Sequence, residues 1–356
     1  MITLGLESSC DETAAAVLEN GDRLLSSVVA SQVSTHHDFG GVVPELASRE
    51  HINNICQVVA QALTRAGLTF QSLDAIAVTQ GPGLVGALLV GLTYAKGLAF
   101  SLGIPFVGVN HLQGHIASVL LENPVAEFPA LALVVSGGHT SLYYMTSPTQ
   151  AEPLARTLDD AAGEALDKLA KLLGLGYPGG PVIDRLSEFG NANAVSFSLP
   201  RISSGELAFS FSGLKSAAVR YVSQQGILPL RRGAARDPKQ VPSQVLDLLA
   251  SYQKSIVDQL IDRLDQSLSG RQVRSIQLSG GVSCNSELRQ RVRKHFEEEG
   301  IQVYYPRLDL TTDNAAMIAA AGVLRLRAGQ RDDWDLQADP NLALYPLLST
   351  SAEEGK

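Results

Sequence analysis

The chain repeats one design. Residues 2–6 are a short apolar run stopped by the polar turn Glu7-Ser8-Ser9-Cys10-Asp11-Glu12-Thr13, and residues 14–18 resume as a strand. Residues 131–135 do the same, with the turn Ser136-Gly137-Gly138-His139-Thr140 and a second strand over 142–145. In both copies a serine at the strand end is followed four residues later by a threonine that opens the next strand. A repeated strand-turn-strand unit predicts two similar lobes, each burying its own sheet. A third serine-glycine turn, residues 279–285, ends the apolar run 273–278. Such turns present consecutive backbone N–H groups, which can form a cradle for phosphate. Three of them predict an α/β chain with a nucleotide cleft between paired lobes. Neither a P-loop nor GxGxxG is present, which excludes the simplest nucleotide folds.

Residues 109–116, VNHLQGHI, pass from a strand end into a helical pattern. His111 and His115 therefore project from one helix face one turn apart, a spacing at which two imidazoles can bind one transition metal. The same spacing also suits two core or surface histidines. Around this pair the sequence predicts a helix beginning near Pro44 and ending at Gly67, with His51 structural inside it. A strand over 75–79, the turn Gly81-Pro82-Gly83 and a helix over 84–102 follow, with Gly86, Gly91 and Gly97 allowing close packing. The absence of charge from 75 to 95 raises a membrane span, but the GPG turn divides the run and predicts a buried strand-turn-helix.

The second half begins after Pro129. A helix over 159–173 places Glu164 with Lys168 and Asp167 with Lys171 at i,i+4, so solvated ion pairs account for Asp167 on local grounds. Residues 174–181 carry enough glycine for backbone to approach a ligand. Residues 228–240 hold Arg231, Arg232, Arg236 and Lys239, the most basic surface candidate in a chain of net charge -8. That acidity argues against a protein-wide grip on nucleic acid, so RNA would need a local patch or a partner. Asp313 reads as a helix N-cap. Cys10, Cys56 and Cys284 are far apart and lack metal-ligand spacing, which fits a reducing cytoplasm. Glu7, Asp11 and Glu12 interrupt any apolar leader, and the polar end beyond Ser349 reads as disordered.

GLESSCDET at 5–13, PELASREH at 44–51, VNHLQGHI at 109–116, VVSGGHTSL at 134–142, DDAAGEALDKLAKLLGLGYPGGP at 159–181, FSFSGLKSA at 209–217, LSGGVSCN at 278–285 and TTDNAAM at 311–317 resemble the bacterial tRNA threonylcarbamoyladenosine synthase subunit, the TsaD or Gcp family. The resemblance covers residues 1 to about 325. It implies a two-lobed actin-like (ASKHA) fold with duplicated mixed-sheet subdomains and a central nucleotide cleft. The first lobe would span 1–128, completed by a helix near 313–328, with the second over 129–312 and a tail over 329–356.

The implied reaction moves a threonylcarbamoyl group from threonylcarbamoyl-AMP to N6 of adenosine 37 in tRNAs reading ANN codons. Position by position, the resemblance makes His111, His115 and Asp313 ligands of one divalent metal, usually iron, with zinc also found. Val134, Val135, Ser136, Gly137 and Gly138 would form the substrate-binding turn. Asp167, Gly180 and Asp184 would contact the nucleoside, and Asn285 would belong to the adenine-side turn. Partners would be tRNA, an inactive paralogue subunit and a small ATPase, in the cytoplasm and without a membrane. The adenylate carries its own leaving group, so no protein nucleophile is needed. Asp11 or Glu12 would accept the amine proton; both also suit a role as turn caps.

Rival readings are three. His111-Leu112-Gln113-Gly114-His115 has the spacing of a zinc peptidase motif, but Leu112 stands where its glutamate base belongs. A small-molecule kinase of the same superfamily would need no His/His/Asp triad. A nucleotide-gated scaffold would bind nucleotide and leave tRNA unchanged.

Overall fold

Apolar runs bounded by polar turns become the central strands of two sheets. The computed structural model describes residues 1–198, 207–231 and 233–344, apart from the side chains of Asp38 and Arg236. Strands β1 (Ile2–Glu7), β2 (Glu12–Glu19), β3 (Arg23–Ser31), β4 (Ala75–Gly81) and β5 (Phe106–Asn110) form the first sheet in the order β3-β2-β1-β4-β5. Strands β6 (Ala130–Val135), β7 (Thr140–Ser147), β8 (Gln150–Arg156), β9 (Ser275–Ser279) and β10 (Gln302–Tyr304) form the second, in the order β10-β9-β6-β7-β8. Read from the other edge, the second order repeats the first. In each sheet the first three strands pair antiparallel and the last two join in parallel. The sequence repeat is therefore a duplicated mixed sheet.

The helices in chain order are α1 (Val33–His36), α2 (Pro44–Ala66), α3 (Val85–Leu102), α4 (His111–Glu122), α5 (Ala162–Leu173), α6 (Gly179–Ser187), α7 (Ser212–Gln224), α8 (Ser243–Leu268), α9 (Ser286–Glu297) and α10 (Ala315–Arg327). Pro44 stands at the start of α2 and Gly67 ends it in the left-handed conformation, as predicted. Helix α3 buries Ala87, Leu88, Gly91, Leu92, Ala95 and Ala99 but leaves Val85, Leu89 and Phe100 exposed. It is long and apolar enough to cross a membrane, yet one face packs on the lobe and the other stays outside. Close approach explains Gly86 and Gly91, which face Ser48 and Ser8, but not Gly97, whose surroundings are open.

Two helices lie between the sheets. Met317, Ile318, Ala319 and Ala321 of α10 pack with Ala75, Ala77 and Val107 of the first sheet. Leu112 and Ile116 of α4 pack with Ala130, Ala132, Val134 and Tyr143 of the second. The alanine-rich face of α10 lets it sink onto the strands: a Cβ built on Gly5 would lie 2.2 Å from the carbonyl oxygen of Ala315.

Other expectations are revised. Helix α5 begins at Ala162, because Asp159 turns away to accept from the N–H groups of Phe211 (2.7 Å) and Ser212 (3.2 Å) at the start of α7. The glycine-rich stretch is a loop only as far as Pro178, since α6 starts at Gly179. Residues 332–344 run along the open edge of the first sheet. Gly108 N–H donates to Asp332 (2.7 Å), Lys96 to the carbonyl of Trp334 (2.7 Å), and Asn110 to that of Leu342 (3.0 Å). The expected disorder beyond Ser349 lies outside the described residues.

Gly5→Ala should destabilise the chain by about 1–3 kcal/mol, since backbone rather than a flexible side chain meets the new methyl group. Denaturant titration against the unsubstituted chain measures this.

Candidate metal centre and its flanking turns

Strand β5 hands over to α4 through Asn110, whose side chain caps the helix by accepting from the N–H groups of Leu112 (2.9 Å) and Gln113 (3.3 Å). The helix thus starts at His111 and aims His111 and His115 to one side, with ring centroids 4.7 Å apart. The third member arrives from α10. Asn314, not Asp313, is the N-cap, accepting from Met317 N–H at 3.0 Å. The expected cap role passes one residue along, and Asp313 is left to face the imidazoles. Its Oδ1 lies 3.5 Å from His111 Nε2 and 3.2 Å from His115 Nε2.

A carboxylate behind His111 fixes that ring. Glu7, 1% exposed at the end of β1, accepts from His111 Nδ1 at 3.0 Å, from Thr79 Oγ1 at 2.7 Å and from Ser9 N–H at 2.5 Å. With Nδ1 donating to Glu7, Nε2 faces Asp313: it bears a proton while the ring is charged and would offer its lone pair to a metal, the arrangement by which carboxylates orient metal-binding imidazoles. Sequence reasoning placed Glu7 at the start of a polar turn; its partner His111 is far away in the chain, so nothing local marks it.

The electrostatics ask for a cation. Burial alone would discharge His111, but Asp313 and then Glu7 outweigh it and hold its pKa well above the usual histidine value. Burial likewise opposes charge on Asp313, and His111 overcomes it and holds that carboxyl well below the usual range. His115 is fully buried and its pKa is lowered by burial, while neither ring nitrogen makes a hydrogen bond. An inward-facing imidazole without a hydrogen bond, beside a second imidazole and a partly exposed carboxylate, has the donor set of an open divalent site. The three ligand atoms all lie within 4.8 Å of one another. A second group, Asp265, His295 and Glu299, sits on the outer surface, where His295 is already hydrogen-bonded to Asp265 at 2.8 Å.

The turns at the centre differ in character. Ser136 is pinned, its N–H donating to His139 O (2.8 Å) and its carbonyl accepting from Gly163 N–H (3.2 Å). Gly137 and Gly138 are exposed, and a Cβ on either would meet nothing within 4 Å, so this bend offers bare backbone to solvent. Val134 and Val135 are wholly buried in β6; their side chains belong to the core and only their backbone can serve a ligand. His139, which the sequence reading left without a role, puts its ring 6.3 Å from that of His111, and burial with the charge of His111 lowers its pKa to about 4.

In the first turn, burial and then Asp313 raise the pKa of Asp11. Glu12 is pushed up to about 8, chiefly by burial, with Asp11 and Asp313 adding to it against the Ser31 hydroxyl. Ser31 binds Glu12 Oε1 at 2.8 Å, while Oε2 is buried without a hydrogen bond.

Four residues expected to meet substrate hold helix ends. Asp167 does not pair with Lys171; it accepts from the N–H groups of Gly179 (2.6 Å) and Gly180 at the start of α6, and burial raises its pKa. Lys171 reaches the carbonyl of Phe39 instead, whereas Glu164 and Lys168 do pair at 2.8 Å. Asp184 binds Ser286 N–H (3.0 Å) and Oγ (2.9 Å), and Asn285 caps α9 through Leu288 N–H (2.9 Å) while donating to Gln253 (2.8 Å). In the basic segment Arg231 is exposed, and the side chains of Arg232 and Arg236 lie outside the described residues.

A family model described as tRNA N6-adenosine threonylcarbamoyltransferase matches residues 23–320. Proteins of that description from Symbiobacterium thermophilum and Bacillus subtilis are 52% and 49% identical, over 96% and 98% of this chain and 97% of each relative. The crystal structure of T. kodakarensis HypF superposes with a TM-score of 0.58 at 17% identity, covering 92% of this chain and 48% of that one, and it supports the actin-like fold alone. With a matching model over most of its length and relatives near half identity end to end, the chain belongs to the tRNA N6-adenosine threonylcarbamoyltransferase family.

Proposed function

We propose that this chain, which transfers a threonylcarbamoyl group to N6 of adenosine in tRNA, takes that group from threonylcarbamoyl-AMP and places it on adenosine 37 of tRNAs reading ANN codons. The observation that carries this reading is the His111, His115 and Asp313 triad beside the bare glycine bend. The triad would hold one divalent metal, iron or zinc. When bound, that ion supplies Lewis-acid polarisation of the donor's oxygens.

The chain's own groups do the rest. Gly137 and Gly138 let the phosphate of the adenylate approach backbone, and Val134, Val135 and Ser136 hold that bend in place. Asp167, Gly180, Asp184 and Asn285 form the wall for the nucleoside, which meets them by exchanging a helix-end hydrogen bond or from the side those bonds leave open. The N6 lone pair is delocalised into the ring, so positioning supplies much of the acceleration. The new bond joins N6 to the carbamoyl carbon, the bond from that carbon to the phosphate oxygen breaks, and AMP leaves. The N6 proton passes to Glu12 or Asp11. Glu12 suits the task by a pKa near working pH.

Leu112 leaves a peptidase without its base, and relatives of the chain favour neither that reading nor a kinase. The inactive paralogue and the small ATPase would dock on α2 and α3, where Ile52, Val85, Leu89 and Phe100 are exposed. Arg231, Arg232, Arg236 and Lys239 would meet tRNA. Free Cys10, Cys56 and Cys284 suit the cytoplasm.

Three outcomes test this. Nucleoside mass spectrometry of tRNA incubated with the chain, its partners and the adenylate should show threonylcarbamoyladenosine, and chelator should abolish it; unmodified tRNA in the complete mixture refutes the reading. Asp313→Asn should weaken divalent binding, measured by titration, by about 10-fold or more. For Glu12 the sign is fixed by its raised pKa: it is protonated below about 8 and becomes a base above it. Turnover should therefore rise with pH and level off above about 8, and Glu12→Gln should remove that rise and lower the rate by about 10²–10⁴-fold.

A further inference from the structure

His51 is fully buried within α2, and its hydrogen-bond partners are Thr13 and Cys10 of the first turn. Its Nε2 lies 3.0 Å from the carbonyl oxygen of Cys10, which can only accept, so Nε2 carries the proton. In the neutral ring Nδ1 is then the acceptor, and the Thr13 hydroxyl donates to it at 2.8 Å. Burial keeps the ring neutral by lowering its pKa, so the partners and the environment agree on one tautomer. One imidazole thus grips the turn on both sides of Asp11 and Glu12.

His111 meets the start of this turn, its Nδ1 lying 3.0 Å from Glu7 and 3.1 Å from Ser9 Oγ, while the anchors from other elements hold one point each. Leu84 N–H donates to Ser9 O (2.8 Å), Ser8 Oγ to Ala87 O (2.9 Å), Gln32 N–H to Asp11 O (3.0 Å) and Ser31 Oγ to Glu12 (2.8 Å). A buried imidazole needs a partner for each nitrogen, and here both partners belong to the one turn that carries the two acids. From the same helix Ile52 and Cys56 face outward, so a displacement of α2 would move the ring and the turn with it.

We infer that His51 is a positioning residue for the first turn, setting where the two carboxylates stand and tying that placement to the seating of α2. The role rests on the reading that Asp11 or Glu12 takes the N6 proton, and two readouts keep the ideas separable. The full chain, loaded with metal and assayed with partners, adenylate and tRNA, is compared with His51→Leu, which keeps volume without hydrogen bonds, and His51→Gln, which restores a donor towards Cys10. His51→Leu should lose on the order of 10–100-fold in kcat, with KM for tRNA and metal content little changed, and His51→Gln should recover most of it.

In the absence of substrate, alkylation of the Cys10 thiol, followed on its own peptide by mass spectrometry, should accelerate roughly tenfold in His51→Leu and less in His51→Gln as the turn loosens. A folded His51→Leu with unchanged kcat or unchanged Cys10 labelling overturns the inference. Should the leucine variant not fold, His51→Gln and His51→Asn, each suited to keep one of the two hydrogen bonds, carry the comparison, and wild-type behaviour of both overturns it. Full activity of both Asp11→Ala and Glu12→Ala would instead remove the base reading while leaving the labelling result standing.

Discussion

Everything at the centre depends on the contact between α4 and α10, which brings Asp313 to two histidines that precede it by most of the second lobe. Neither helix could supply the site alone: α4 gives two imidazoles at i,i+4, and α10 gives one carboxylate just ahead of its cap. Their approach is close because small residues line it. Gly114 of α4 faces Ile318 and Met317, and the alanines of α10 let the same helix lie on the first sheet. The two helices thus form a layer shared by both sheets, and the site lies where that layer meets the ends of β1 and β6.

Charge makes the contact consequential. Glu7 and Asp313 bracket His111, each near its own ring nitrogen, and both carboxylates are kept charged at the cost of burial by the histidine between them. A proton on His111 is one way to answer that field, and a divalent ion at the open side is another. Breaking the arrangement by removing one partner would strand a buried charge, which is why all three positions must be filled together.

The parts legible in the sequence were those whose signal is local. The duplicated strand-turn-strand units, the start and end of α2 and the spacing of His111 and His115 are all written within a few residues. Strands β3 and β8 were missed because they are edge strands in which apolar alternation is weak: β3 exposes Val29 and buries Ser26, and β8 carries Pro153. The cap of α10 was placed one residue early because aspartate and asparagine cap equally well, and only the fold assigns Asn314 to the helix and Asp313 to the histidines. Glu7 and the bridging of Cys10 and Thr13 by His51 were illegible for a different reason. Both are contacts across the fold, and a buried carboxylate looks, in sequence, like any polar turn residue.

The duplication also shows how one unit can be divided into two tasks. Both copies end a central strand in a serine-bearing turn, and both turns face the helix pair. The first copy filled its turn with acids and surrounded it with anchors, so its side chains are held and their pKa values displaced. The second kept glycines, exposed and with open space above them, so it offers backbone instead. A turn that must move a proton needs fixed side chains near neutrality, whereas a turn that must receive an anionic ligand needs bare N–H groups. Equivalent turns of the two sheets therefore differ in chemistry, with anchored acids in the first and exposed glycines in the second.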